Sequence, residues 1–115
     1  MLEISRRRFG ELVDDALDSV PEELIRLLDN VVVQIEDRDE ENPGLLGLYR
    51  GVALTERDSH YSFQLPDSIT IYREAILAIC ATEQDVAREV AITVVHEIGH
   101  HFGIDDERLH ELGWA

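Results

Sequence analysis

The chain has 115 residues, enough for one domain over residues 1–115 with a single hydrophobic core. Its 44% hydrophobic and 30% charged residues are typical of a globular protein and argue against a disordered or fibrous one. A formal net charge of −15 at pH 7 repels nucleic acids and anionic membranes, so neither is an expected partner.

Two helices and one strand are predicted in the first third of the chain. Apolar residues at helical spacing indicate a helix from Ser5 to Ser19, and a second helix follows at once, with Ser19 as its N-cap and Pro21 in its first turn. The β-branched run from Val31 to Ile35 predicts a strand covered on both faces. "EDRDEENPG", Glu36 to Gly44, contains no apolar residue and is expected to be a surface loop.

The middle of the chain is predicted to add two strands. Leu46 to Leu54 is typical of a strand whose glycines, Gly47 and Gly51, favour a sheet edge or a bulge. A polar connection over residues 55–67 leads to a third strand over residues 68–79, "SITIYREAILAI". Cys80, the only cysteine, excludes an internal disulfide and is expected in the core.

A long helix is predicted near the end of the chain. Thr82 is a suitable N-cap, and Asp85 stands at the third helical position, where it completes a short capping box. The helix continues through residue 102 until Gly103, because glycine is favoured just past a helix end.

Nothing in the chain directs it to a membrane or out of the cell. No run of 18 apolar residues occurs, and the basic cluster Arg6-Arg7-Arg8 is followed by an acidic stretch where a signal peptide needs an apolar one. A cytoplasmic location is therefore expected.

The predicted long helix carries the chemistry in "HEIGH", residues 96–100. His96 and His100 lie one helical turn apart, roughly 40° around the axis and 6 Å along it, so both imidazoles can reach one ion. Neutral imidazole is a preferred ligand of Zn²⁺, and a catalytic zinc site takes three protein ligands and one water. Glu97, about 100° from His96, is placed to hold that water and take its proton as the general base.

The third metal ligand is expected shortly after the helix. Gly103 accepts a positive φ and permits a sharp turn, which brings the acidic residues that follow back towards the metal. Asp106 is the first choice, His110 the second and Glu107 the third.

"HEIGHHFGIDD", residues 96–106, resembles the H-E-x-x-H-x-x-G-x-x-H/D signature of metzincin-type zinc peptidases, in the variant with aspartate as third ligand. With "GLYRGVAL", "LPDSITIYR" and "DERLHELGW", the chain is similar to the small bacterial minimal zincin-like metallopeptidases, although the methionine turn of true metzincins is missing. The resemblance implies zinc binding by His96, His100 and Asp106, with Glu97 as base. It also implies an α+β fold, in which a small mixed sheet packs against a backing helix and a C-terminal active-site helix.

The resemblance further implies hydrolysis of an extended peptide or unfolded protein, which pairs with an edge strand along the cleft. Leu46 to Leu54 is the candidate strand, and the oxyanion donor stays open among four residues: Tyr49, Tyr61, His101 and His110. The main alternative is a non-catalytic, zinc-stabilised interaction domain. A metallo-endoribonuclease of the ribosomal-RNA maturation type shares the ligand spacing, but it has glycine in place of Glu97 and requires a polyanionic substrate.

Overall fold

The computed structural model describes residues 2–26, 31–51, 67–103 and 106–111, and within these it describes residues 100–102, 106 and 109 by their backbone alone. In chain order its elements are α1 (Arg6–Ser19), α2 (Glu22–Ile25), β1 (Val31–Glu36), β2 (Gly47–Arg50), β3 (Asp67–Tyr72), α3 (Arg73–Ile79), α4 (Glu83–Phe102) and α5 (Asp106–Glu111). The protein is α+β, as the resemblance implies.

The sheet is mixed and has the order β1-β3-β2 among the described strands. β3 lies at its centre, parallel to β1 and antiparallel to β2. Leu48 pairs with Thr70, and Tyr49 pairs with Ile69. The prediction that the strand around Gly47 lies at an edge is thus confirmed for the part of the chain that the structure describes.

The central strand β3 is buried on both faces. Ile69 and Ile71 are fully buried in the main core. On the opposite face Thr70 accepts a hydrogen bond from Gln34 at 3.1 Å, and the Tyr72 hydroxyl donates to Asp39 at 3.1 Å. Burial and this bond to Asp39 raise the pKa of Tyr72. The acidic loop after β1 therefore covers the second face of β3 at Tyr72, while the helices cover the first face of the sheet.

Helices α1 and α4 pack against each other and form most of the core. Each presents an apolar stripe at helical spacing, as the sequence predicts. The buried residues of the two stripes are Phe9, Leu12, Val13 and Ala16 in α1, and Val86, Val90, Val94, Val95 and Ile98 in α4. None of the helices in the described ranges is long and apolar enough to cross a lipid bilayer.

Three local predictions were wrong. Residues 73–79 form helix α3 instead of continuing the third strand, because Ala75, Ile76 and Leu77 bury one helical face against the core. β1 is covered on only one face, and Val32 is 47% exposed. Ser19 ends α1 and bonds back to Ala16, so that Pro21 takes the N-cap position of α2.

Candidate metal centre

Helix α4 begins and ends where the sequence predicts. The Thr82 hydroxyl accepts a hydrogen bond from the Asp85 N–H at 3.1 Å, and the Asp85 carboxylate accepts from the Thr82 N–H at 3.2 Å, which completes the capping box. At the other end Gly103 has a φ of 74°, the left-handed conformation that glycine adopts without a steric penalty. The backbone therefore turns sharply directly after the helix.

The buried valine stripe fixes the rotation of α4 about its axis. With Val86, Val90 and Val94 fully buried, a neighbouring row of the same helix faces a cleft. The cleft has a volume of about 560 Å³, and its second wall is the chain from residue 42 to Gly47. Its lining from α4 consists of Glu89, Ile92, Thr93, His96 and Glu97.

Both histidines of the motif lie in α4. The His96 side chain is partly buried and lines the cleft. The helix is unbroken from His96 to His100, so their separation is one turn, while the His100 side chain lies outside the described part. Joint binding of one ion by the two imidazoles stays a prediction.

Glu97 contacts the edge strand. Its Oε2 accepts a hydrogen bond from the backbone N–H of Tyr49 at 3.3 Å. In an antiparallel pair, alternate residues bond to the partner strand, and the Tyr72 N–H bonds to the carbonyl of Leu46 at 2.9 Å. The backbone N–H and C=O groups of Leu46 and Leu48 therefore point towards β3. Those of Tyr49 point away from β3. The Glu97 carboxylate lies at the edge of β2 opposite to β3.

A close approach of β2 to α4 supports this contact. A Cβ on Gly47 would lie 2.5 Å from Cγ2 of Thr93 and 3.2 Å from the carbonyl oxygen of Thr70, so only glycine fits without movement. Thr93 precedes Glu97 by one helical turn. Gly47 against Thr93 and Tyr49 against Glu97 therefore form two successive contacts, along which β2 and α4 run in the same direction.

The Tyr49 side chain is anchored within the sheet. Its hydroxyl donates to Oδ2 of Asp67 at 3.0 Å, and Asp67 is buried at 8% exposure. This bond holds the residue whose N–H meets Glu97. Of the other oxyanion candidates, Tyr61 and the His101 side chain lie outside the described residues, and His110 is exposed in α5. The choice of donor stays open.

The candidate third ligands follow the turn at Gly103. Asp106 is the first residue of α5, which contacts α4, and its side chain lies outside the described part. Glu107 and His110 are exposed. Among the side chains that the structure describes, no three His, Cys, Asp or Glu residues cluster as metal ligands, and those of His100 and Asp106 are not among them. The ligand set stays a prediction.

The donor chemistry nevertheless fits zinc. His96 presents an imidazole to the cleft, and Glu97 beside it presents a carboxylate held by a backbone donor. Imidazole is an ordinary zinc ligand, a carboxylate beside it can accept a proton from water, and a catalytic site requires an accessible cleft of this kind. Sequence reasoning found both residues, but it missed the contacts that position Glu97. Gly47 was the signal for one of them, since a conformationally costly glycine within a strand often marks a close backbone approach.

Two comparisons with known proteins give a match. A family model described as zincin-like metallopeptidase matches residues 28–114, which include β1 to α5. A solved structure of a conserved hypothetical protein from Thermo thermophilus matches with a TM-score of 0.56 and 27% sequence identity, covering 86% of this chain and 94% of that chain. A search of curated proteins returns no match.

Proposed function

The chain belongs to the zincin-like metallopeptidase family, and on that premise we propose that it is a zinc-dependent peptidase that hydrolyses peptide bonds of an extended chain. The observation that carries the proposal is the hydrogen bond from the Tyr49 N–H to Glu97. It places the carboxylate at the strand edge where a peptide backbone would pair. A purely structural zinc site has no use for a carboxylate held in that position.

In this proposal His96, His100 and Asp106 hold the metal, at the offsets of the H-E-x-x-H-x-x-G-x-x-D signature. When bound, zinc supplies Lewis acidity, which polarises the scissile carbonyl and lowers the pKa of water. The imidazole of His96 already faces the cleft. The positive φ of Gly103 allows the backbone to return towards the helix before Asp106.

Glu97 acts as the general base in the proposed reaction. Its carboxylate takes a proton from the attacking water and passes it to the nitrogen of the departing amine. The Tyr49 N–H holds one carboxylate oxygen, which restricts the rotation of the side chain. The Tyr49 hydroxyl bonds to Asp67, so the N–H that holds Glu97 belongs to a residue that is fixed within the sheet.

The substrate is proposed to bind as an additional strand. The Tyr49 N–H bonds to Glu97, and the Tyr49 carbonyl also points away from β3, so this carbonyl is the backbone group with which a peptide would pair beside Glu97. A cleft of about 560 Å³ between α4 and the segment before β2 receives the side chains. A folded protein domain does not fit between these walls, so the proposed substrates are peptides or unfolded chains.

Cleavage of a peptide library by zinc-loaded protein tests this function. Glu97→Gln keeps the shape of the side chain and its ability to accept from Tyr49, but it removes the base, so we expect cleavage to fall by roughly 10² to 10⁴-fold. Zinc content and the free energy of unfolding should stay at the wild-type values. Glu23→Gln, an equal charge change on the exposed surface of α2, is the matched control and should cleave normally.

Two results would contradict the proposal. If the zinc-loaded wild type cleaves no peptide, the site is not a peptidase. If Glu97→Gln cleaves as well as wild type, another group is the base and the role of Glu97 is wrong.

A further inference from the structure

A second carboxylate faces the cleft at a distance from the candidate metal centre. Glu89 lies in the same row of α4 as Thr93 and Glu97, at intervals of four residues. Two helical turns separate Glu89 from Glu97, which corresponds to about 12 Å along the axis. Glu89 is partly buried and lines the cleft.

No cation of the described residues pairs with Glu89. Other carboxylates of the described residues do have arginine partners, as Glu83 does with Arg8 at 2.9 Å and Asp37 with Arg73 at 3.1 Å. Residues three and four positions from Glu89 on α4 share its face, and none of them is basic: they are Asp85, Val86, Ile92 and Thr93. Arg88 is adjacent in sequence, so it points about 100° away around the axis.

Apart from His96 and Glu97 at the candidate metal centre, the side chains that line the cleft with Glu89 are uncharged. Leu45 and Leu46 line it from the segment before β2, and Ile92 lines it from α4. A long basic side chain fits this arrangement, because its aliphatic stem packs on apolar surface while its charged end reaches a carboxylate. An acidic side chain would meet only repulsion from Glu89.

We propose that Glu89 selects substrates with an arginine or lysine close to the scissile bond, an inference that rests on the proposed peptidase function. An extended strand rises about 3.3 Å per residue, so a separation of about 12 Å corresponds to three or four residues. Because arginine and lysine side chains are long, the selected residue can stand two to four positions from the scissile bond. Antiparallel pairing is more stable per residue than parallel pairing, so the proposed peptide runs antiparallel to β2. Because β2 and α4 run in the same direction, the C-terminal part of this peptide points towards Glu89. The selected residue therefore lies on the C-terminal side of the scissile bond.

Cleavage of a positional peptide series tests the selectivity. Each peptide carries Arg, Gln or Glu at one position of an otherwise constant neutral sequence. We expect the wild type to prefer Arg over Gln by about five- to tenfold in kcat/KM at positions two to four, and more weakly at high salt. Glu89→Gln should remove the preference, and Glu89→Ala should repeat this result. Glu23→Gln, which changes the net charge equally outside the cleft, should retain it.

Binding to an inactive variant gives a second readout. In Glu97→Gln, fluorescence anisotropy with labelled Arg and Gln peptides should show the same preference in Kd, and the double variant Glu89→Gln/Glu97→Gln should lose it. Cleavage by wild type without any preference for Arg, or a preference that survives in Glu89→Gln, overturns this inference and leaves the peptidase function standing. A binding preference that depends on Glu89 without any cleavage supports the inference about the cleft and refutes the peptidase function.

Discussion

Replacing Gly47 by alanine tests whether β2 is held directly against the active-site helix. The new Cβ would lie 2.5 Å from Cγ2 of Thr93 and 3.2 Å from the backbone oxygen of Thr70. Ordinary carbon contacts lie at about 3.5–4.0 Å, so the wall must move by about 1 Å. Thr93 is buried and β-branched, which restricts its rotation, and Thr70 belongs to the central strand. The strain therefore separates β2 from α4.

The expected cost follows from two opposing effects. Overpacking of a tight interior site costs about 1–3 kcal/mol. Replacing glycine by alanine restricts the unfolded chain, which returns about 0.4–1 kcal/mol where the backbone conformation suits alanine. Gly47 does not have a positive φ, so this gain applies. A contact as short as 2.5 Å places the cost in the upper half of its range, about 2–3 kcal/mol, so the net loss in the free energy of unfolding should be about 1–2.5 kcal/mol. Peptidase activity should also fall, because Tyr49 moves away from Glu97.

Urea unfolding of the wild type and four variants measures the effect. Gly10→Ala, within helix α1, is the matched control, because its new Cβ would lie 4.0 Å from Ile35 and would clash with nothing. Alanine is favoured over glycine inside a helix, so this change should stabilise the protein by about 0.5–1 kcal/mol. Thr93→Ser removes the clashing methyl group, so the double variant Gly47→Ala/Thr93→Ser should recover at least about 0.5 kcal/mol relative to the sum of the single changes. Two results would refute the contact between Gly47 and Thr93. One is equal stability of Gly47→Ala and wild type, and the other is a double variant whose loss in the free energy of unfolding equals the sum of the two single losses.

Three further predictions concern the metal, the helix cap and the cysteine. Asp106→Ala should weaken zinc binding in a competition titration while the fold stays near native; unchanged affinity would transfer the third ligand position to His110 or Glu107. Thr82→Ala removes the hydroxyl that caps α4 and should lower the free energy of unfolding by about 1 kcal/mol, whereas an unchanged urea midpoint would show that the cap is dispensable. Cys80 is buried and its thiol pKa is raised by desolvation, so Ellman's reagent should modify the native protein far more slowly than the urea-unfolded chain; equal rates would contradict its burial.

The elements that sequence analysis predicted correctly carry local signals. The capping box of Thr82 and Asp85, the buried valines and the glycine after residue 102 all lie within α4 or at its ends. Each acts through neighbours a few residues away, so the sequence alone determines them. The helix that carries the His-Glu-x-x-His motif was therefore predictable to the residue.

The wrong predictions concern segments that tertiary packing decides. Residues 73–79 have the composition of a strand or of a buried helix, and periodicity does not separate the two over so short a run. In β1, the β-branched residues suggested burial on both faces, but the strand lies at the sheet margin with Val32 towards solvent. Packing against the rest of the protein decides both the helix over residues 73–79 and the exposure of β1, and the conformational preferences of the residues themselves do not.

The arrangement around Glu97 depends on contacts distant in sequence. Tyr49 and Glu97 are 48 residues apart, and Gly47 and Thr93 are 46 apart, so no local pattern indicates that they meet. The sequence identified Glu97 from its spacing to His96, while the donor that holds it comes from sheet topology. The motif spacing identifies the base, and the sheet topology places it at the edge of β2, where the proposed substrate binds.

Zinc content tests the central claim most directly. Purified untagged protein is dialysed against trace zinc and measured by plasma mass spectrometry, with wild type beside His96→Ala and Glu97→Gln. The account predicts about one zinc per chain in wild type and in Glu97→Gln, and none in His96→Ala, because the imidazole is a ligand and the carboxylate is the base. Absence of zinc from the wild type, or equal zinc in His96→Ala, would contradict a metal centre at this motif and with it the proposed peptidase.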